Sequence, residues 1–396
     1  MSASRFADLP ESPFARLASL IEGLTPGKPP IALSLGEPRH PFPAFIMEAI
    51  AANAADFGRY PPIIGTPAFR AAATGWLNRR FGLPEGWLDP ENQLLPVNGT
   101  REALFNMAIV ATPLAKAGKK PAILMPNPFY QCYAAAALAA GAEPVYVAAT
   151  KENGFLPDFA ALPEELLART SMIYFCSPAN PQGSVADLGY LKELILLARR
   201  HGILLAMDEC YADIYDRAAP PGALKAAFEL DGTADNVIVL HSLSKRSSLP
   251  GLRSGFCAGD RAFIAKFRSM RNIAAPQVPL PLLAASALAW ADDAHAADNR
   301  TLYQRKIDMA ERILGNRFGF YRPAGGFFLW LDVEDGEAAT RRLWTEAGVK
   351  VLPGAYLARD DESVAGGNPG RAFIRVALVE AENVMEEALK RMAEAL

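Results

Sequence analysis

The segment from His241 to Phe256, "HSLSKRSSLPGLRSGF", crowds a lysine, two arginines and a run of serines directly behind the apolar stretch "NVIVL". A lysine at the end of a buried strand is disfavoured as a cation, because burial pushes its pKa below the ~10.4 of the free side chain. An amine held neutral can attack a carbonyl and form a Schiff base. Lys245 is therefore a candidate covalent nucleophile; the competing reading is a surface lysine that happens to follow a strand. Two further apolar runs end on polar groups. "MIYFC" leads into "SPANPQG" with Asn180, and "ILLAM" leads into "DECYADIY" with Asp208 and Tyr211. Singly, Asp208 could cap a helix, Asn180 could serve a turn and Tyr211 could be packing. Three strands that deliver an amide, an acid with a phenol, and an amine to one edge are hard to explain by folding alone.

That common edge requires a parallel sheet. Between about residues 95 and 260 the runs "PAILMP", "EPVYVAA", "SMIYFCS", "GILLAMDE", "NVIVLHS" and "SGFCAGD" alternate with amphipathic helical patterns. Continuous apolar runs suit strands buried on both faces. "DLGYLKELILLARRHG" places Leu188, Leu191, Ile195 and Ala198 on one helix face, with Asp187 as cap and Gly202 as terminator. Strand–helix alternation of this kind predicts a mostly parallel sheet flanked by helices, with ligands beyond the carboxyl ends of its strands. After about residue 285, longer polar helices and the strand patterns "GGFFLWLDV" and "RAFIRVALV" predict a smaller α+β domain. The expected division is a large domain over 45–285 and a discontinuous small one over 1–44 and 286–396.

Bulk properties narrow the class. The 396 residues are 51% apolar and 21% charged, with a formal net charge of −3. This balance points to a globular chain and gives no reason to expect nucleic acid or an anionic membrane as partner. The four cysteines form no C-x-x-C pair and the four histidines no H-E-x-x-H, so a disulfide frame or a metal site is not expected. The amino-terminal stretch carries acids and lacks an apolar core, unlike a secretory signal. The expected location is cytoplasmic.

In this order, with S-x-S-K-x₇-R over Ser242–Arg253, the strand-end residues resemble those of the class I/II aminotransferases. These are fold-type I enzymes that depend on pyridoxal 5′-phosphate, and the resemblance runs from "SLGEPRHPFP" to "FIRVALV". It implies an α/β fold with a large, mostly parallel sheet domain and a smaller α+β domain. It also implies Lys245 as the Schiff-base lysine and general base, and Asp208 against the pyridine nitrogen. Tyr211 and Asn180 would bind the cofactor's phenolate oxygen. Gly99 and Thr100, opening a helix, would take the phosphate with Ser242, Ser244 and Arg253, since helix amino termini favour anions. Tyr130 would stack on the ring, and Tyr60 would reach the phosphate of a neighbouring subunit, making a homodimer with shared sites. Gly36 and Asn180 would lie against substrate.

Arg375 stands in the apolar strand "RAFIRVALV", where a guanidinium needs a carboxylate. By resemblance that partner is the substrate α-carboxylate; by sequence alone Glu380 is an alternative. Within the family, "HSLSKRSSLPGLRSGF", "GEPRHP" and "LPGAYLAR" look most like the succinyldiaminopimelate aminotransferase branch. This implies glutamate as amino donor and N-succinyl-2-amino-6-oxopimelate as acceptor, with Arg39 and Arg359 as candidates for the distal carboxylates. A class I aminotransferase acting on alanine, aspartate or aromatic amino acids, or a same-fold lyase, stays open at this level.

Overall fold

The computed structural model describes Phe6, Leu9 and residues 11–396. Its strands are β1 (Ile31–Ala32), β2 (Leu94–Val97), β3 (Ala122–Asn127), β4 (Glu143–Ala148), β5 (Thr170–Cys176) and β6 (Leu204–Asp208). There follow β7 (Val237–Ser242), β8 (Gly255–Gly259), β9 (Phe328–Asp332), β10 (Val349–Lys350), β11 (Leu352–Pro353) and β12 (Phe373–Ala377).

Every residue of β5, β6 and β7 is buried, which is why these runs lack polar alternation. Their side chains still alternate between faces: Val237 and Val239 enter one core, Ile238 and Leu240 the other. The seven-stranded sheet has the order β2-β8-β7-β6-β5-β3-β4. β7, β6, β5, β3 and β4 are mutually parallel, whereas β8 runs antiparallel to both β7 and β2. The run "SGFCAGD" is thus the exception to the parallel pattern. The connection before it holds only a four-residue helix and one 3₁₀ turn, too little for a crossover. The helix Leu188–Arg200 begins where Asp187 accepts from the Tyr190 amide at 2.8 Å, and it buries Leu191, Leu194, Ile195 and Ala198. Similarly, Thr66 caps Pro67–Phe81 by accepting from the Phe69 amide at 3.2 Å.

The second sheet, β11-β12-β9, is antiparallel and packs on the helices Ala294–Leu314 and Glu382–Ala395. β1 pairs in parallel with β10, and the Ala377 amide donates to the Leu33 carbonyl at 2.8 Å. These contacts fix the segment after β1 beside β12. Among the described residues, no helix is long and apolar enough to cross a membrane.

Candidate active site

Lys245 lies on the single helical turn Leu243–Arg246 that follows β7, with Ser242 as its cap. Its Nζ donates to the Gly36 carbonyl at 2.6 Å and lies 5.1 Å from the Phe327 ring centre and 5.8 Å from that of Tyr211. Burial pushes the amine down to about 8, and the nearby Arg375 charge acts in the same direction. Asp208, at the end of β6, is 7% exposed. Its Oδ2 accepts from the Tyr133 hydroxyl at 2.8 Å and its Oδ1 from the Cys210 amide at 3.3 Å. No lysine or arginine pairs with it among the described residues, and burial raises its pKa above the ordinary carboxylate value.

Tyr133 was not singled out in the sequence. It lies three residues after Tyr130, the cap of the helix Gln131–Ala139, and its ring stacks on Tyr174 at 4.5 Å. The Tyr130 ring meets Tyr133 edge-on at 5.5 Å, and its hydroxyl accepts from Arg101 Nε. Burial pushes the Tyr130 phenol up to about 12. Arg101, the second residue of the helix Thr100–Ala111, is another residue that the sequence reading passed over; it follows Gly99 and Thr100 directly.

Gly99 has φ +79° and precedes that helix. Beside it, Arg253 donates through Nη1 to the Pro250 carbonyl at 2.9 Å and through Nη2 to the Asn98 carbonyl at 3.2 Å. A Cβ on Gly99 would fall 2.2 Å from Arg253 Nη2, so only glycine leaves this cradle open. The Thr100 hydroxyl lies 3.0 Å from Cys210 Sγ, and Ser242 Oγ 3.4 Å from the Ser254 carbonyl and 2.9 Å from Ser244 Oγ. Unpaired helix N–H groups, hydroxyls and an exposed guanidinium with no carboxylate partner among the described residues together favour an anion here.

Arg375, 4% exposed, donates through Nη1 to Asn180 Oδ1 at 3.0 Å and through Nη2 to the Ser34 carbonyl at 2.8 Å; its Nε has no partner. The guanidinium lies 4.4 Å from the Phe328 ring centre, and burial lowers its pKa to about 10. Glu380, the alternative partner suggested by sequence, pairs with Arg39 instead. That pairing also removes Arg39 as a free cation for a distal carboxylate. Arg359 is fixed through its main chain to Asn127, with both bonds at 2.9 Å, and lines a cavity of about 880 Å³ with Arg16, Arg371 and several acids. Gly36 abuts Phe328, where a Cβ would come within 2.4 Å of the ring. Tyr211 is buried edge-on to Phe327 at 5.4 Å, and burial raises its phenol pKa. Tyr60 is 99% exposed.

A buried acid without a cation, an amine lowered towards neutrality and an anion cradle lie at the strand ends of the larger sheet, and a buried guanidinium without an anion reaches them from β12 of the smaller sheet through Asn180. This set fits a planar aldehyde that carries a phosphate and a protonated ring nitrogen, and the fold with its site is that of an enzyme able to hold such a cofactor. The family model described as aminotransferase class I and II matches residues 28–392. LL-diaminopimelate aminotransferase 2 of Trichormus variabilis is 31% identical over 402 residues, covering 99% of this chain and 98% of the relative. An aminotransferase of Neisseria meningitidis superposes with a TM-score of 0.93 at 39% identity, covering 98% of both chains. A probable N-succinyldiaminopimelate aminotransferase of Thermus thermophilus gives a TM-score of 0.83 at 26% identity, covering 97% of this chain and 100% of the other. The chain belongs to the class I and II aminotransferases, and its cofactor is pyridoxal 5′-phosphate.

Proposed function

We propose that Lys245 holds the cofactor covalently and that the amino group of glutamate passes to a diaminopimelate-type keto acid, N-succinyl-2-amino-6-oxopimelate. The observation that carries the reading is Arg375, a buried guanidinium with an unpaired Nε and no acid beside it, which reaches from β12 of the smaller sheet to Asn180 at the strand-end edge that bears Lys245 and Asp208. Bound pyridoxal phosphate supplies an aldehyde that carries the amino group and a ring that accepts electrons. Arg375 binds the substrate α-carboxylate. Lys245 Nζ, once free, would move the proton between the substrate α-carbon and the cofactor's C4′ carbon; a pKa of about 8 suits an amine that must both take and give it. The Asp208 carboxylate, oriented by Tyr133, keeps the proton on the ring nitrogen. Tyr211 and the Asn180 amide hold the phenolate oxygen. Gly99, Thr100, Ser242, Ser244 and Arg253 hold the phosphate, Tyr130 covers the ring and Gly36 faces substrate.

The same reading includes a cytoplasmic homodimer whose Tyr60 completes the partner's phosphate site, a large domain over 45–285 and a small one over 1–44 and 286–396. The full exposure of Tyr60 supports the shared site. A second acceptor reading, direct use of LL-diaminopimelate chemistry, is supported by the relative that is 31% identical.

The test is absorbance and turnover of the purified protein. Glutamate should bleach the visible band, and 2-oxoglutarate should accept nitrogen from N-succinyl-LL-diaminopimelate faster than from LL-diaminopimelate, alanine, aspartate or phenylalanine. A preference for LL-diaminopimelate selects the second reading, and one for aspartate or alanine rejects both. Ammonia release without an acceptor points to a lyase.

A further inference from the structure

The helix that carries Lys245 is a single turn, so its last carbonyls find no partner within it. Asn299, on the helix Ala294–Leu314 and 7% exposed, donates its side-chain Nδ2 to the Lys245 carbonyl at 3.0 Å and to the Arg246 carbonyl at 3.1 Å. These two bonds orient the amide, leaving Oδ1 to accept from Ser248 Oγ at 3.3 Å and from His40 Nδ1 at 2.7 Å. An amide oxygen only accepts, so the His40 proton is on Nδ1 and Nε2 is free to accept from Lys306 Nζ at 2.7 Å. Lys306, 1% exposed and two turns after Asn299 on the same helix, also donates to the Leu378 carbonyl at 3.1 Å. Leu378 is three residues past Arg375, and His40 is four residues past Gly36, the acceptor of Lys245 Nζ.

We propose that Leu378, Lys306, His40 and Asn299 form a positioning chain: it fixes the main chain under Lys245 and ties it to the strand of Arg375 and the segment of Gly36. Lys245 is then held at both ends, its amine by Gly36 and its peptide by Asn299, and both holds trace to the segment Gly36–His40. None of the four residues touches the reacting groups. The polarity of the chain depends on a neutral His40. Burial keeps that ring below its ordinary pKa. Protonation would set Nε2–H against the Lys306 ammonium. The Tyr303 ring, 4.4 Å away, cannot accept the extra proton, and the acid whose charge reaches both groups, Glu382, is paired with Arg305 at 3.6 Å. Acidification therefore breaks the chain at the His40–Lys306 contact.

The inference rests on Lys245 as the residue that binds the cofactor. Lys245→Ala tests that premise separately, because it removes the visible band altogether. In the cofactor-loaded full chain, His40→Phe keeps the ring against Tyr303 and removes both polar atoms, Asn299→Leu removes the amide, and His40→Gln restores one donor and one acceptor. The readouts are the pH midpoint of the visible lysine–cofactor band and the split between kcat and KM. His40→Phe and Asn299→Leu should move the midpoint by roughly half a pH unit or more and lower kcat about five- to tenfold with KM within about twofold, and His40→Gln should recover most of both. A folded His40→Phe protein with the parent midpoint overturns the proposal, as does a lowered melting temperature without a midpoint shift. Where Asn299→Leu fails to fold, Lys306→Met carries the test by the same criteria, since Lys306 contacts neither Lys245 nor the turn that bears it.

Discussion

Arg375 Nη1 donates to Asn180 Oδ1 at 3.0 Å, joining the central strand of the smaller sheet to the loop that follows β5 of the larger one. The contact fixes which way the Asn180 amide faces: its oxygen is committed to Arg375, so its N–H₂ group points elsewhere and is free to donate. One hydrogen bond thereby orients both of the groups to which the proposed function assigns the substrate carboxylate and the cofactor's phenolate oxygen.

Replacing Arg375 separates binding from stability. Arg375→Leu should lower kcat/KM for 2-oxo acids by about 10²–10³, a loss of ~3–4 kcal/mol of transition-state binding, while the melting temperature of the cofactor-free protein stays level or rises. Removing a buried guanidinium that has no carboxylate partner relieves its desolvation cost. A large drop in melting temperature, with substrate affinity intact, would show that the residue serves the fold.

Lys245 makes a pH-dependent contribution of known sign. Its folded-state pKa is lowered from 10.5 to about 8, so between those values the unfolded chain binds more protons and stability rises with pH. Lys245→Met should therefore stabilise the cofactor-free protein at pH 7 by something on the order of 2 kcal/mol, and the advantage should shrink as pH climbs from 8 towards 10.5. Thermal melts of both proteins across that range check it.

Tyr133→Phe deletes the hydroxyl that donates to Asp208 at 2.8 Å. That bond favours the carboxylate, so its loss raises the Asp208 pKa further and the carboxylate protonates at higher pH on acidification. The acid limb of the pH–rate profile should move upwards and kcat fall roughly tenfold, the scale of one hydrogen bond to a charged group. An unchanged profile would remove Tyr133 from the site.

Gly99→Ala forces a Cβ to within 2.2 Å of Arg253 Nη2 at a backbone φ of +79°. Arg253 must swing away, and the affinity for pyridoxal phosphate should fall about 10–100-fold, equal to ~1.4–2.7 kcal/mol. Titration of the apoprotein reports it; the band position should not change, since Lys245 and Asp208 are untouched.

Much of the site was legible from local order along the chain. Lys245, Asp208 and Asn180 each follow a continuous apolar run, and a buried strand of a parallel sheet must end near its neighbours' ends, so the runs announce which residues meet. The alternation in "RAFIRVALV" likewise showed that Arg375 leaves the face of Ile374 and Val376, both of which are buried in the smaller core. Strand direction was less legible: β8 is as fully buried as β7 of the parallel set, and the shortness of its connection is what sets its direction apart.

What the amino-acid order determined alone is the inventory of reactive groups and the element that bears each, because hydrophobic periodicity and caps act over a few residues. Tertiary structure decided the pairings. Glu380 lies five residues from Arg375 yet takes Arg39, and the Lys245 peptide is held by Asn299, 54 residues away. Nor does any periodicity mark Tyr133 as the donor to Asp208, 75 residues further on. Ion pairs and hydrogen bonds fall off over a few ångströms, so choice among partners waits until packing has brought distant segments together.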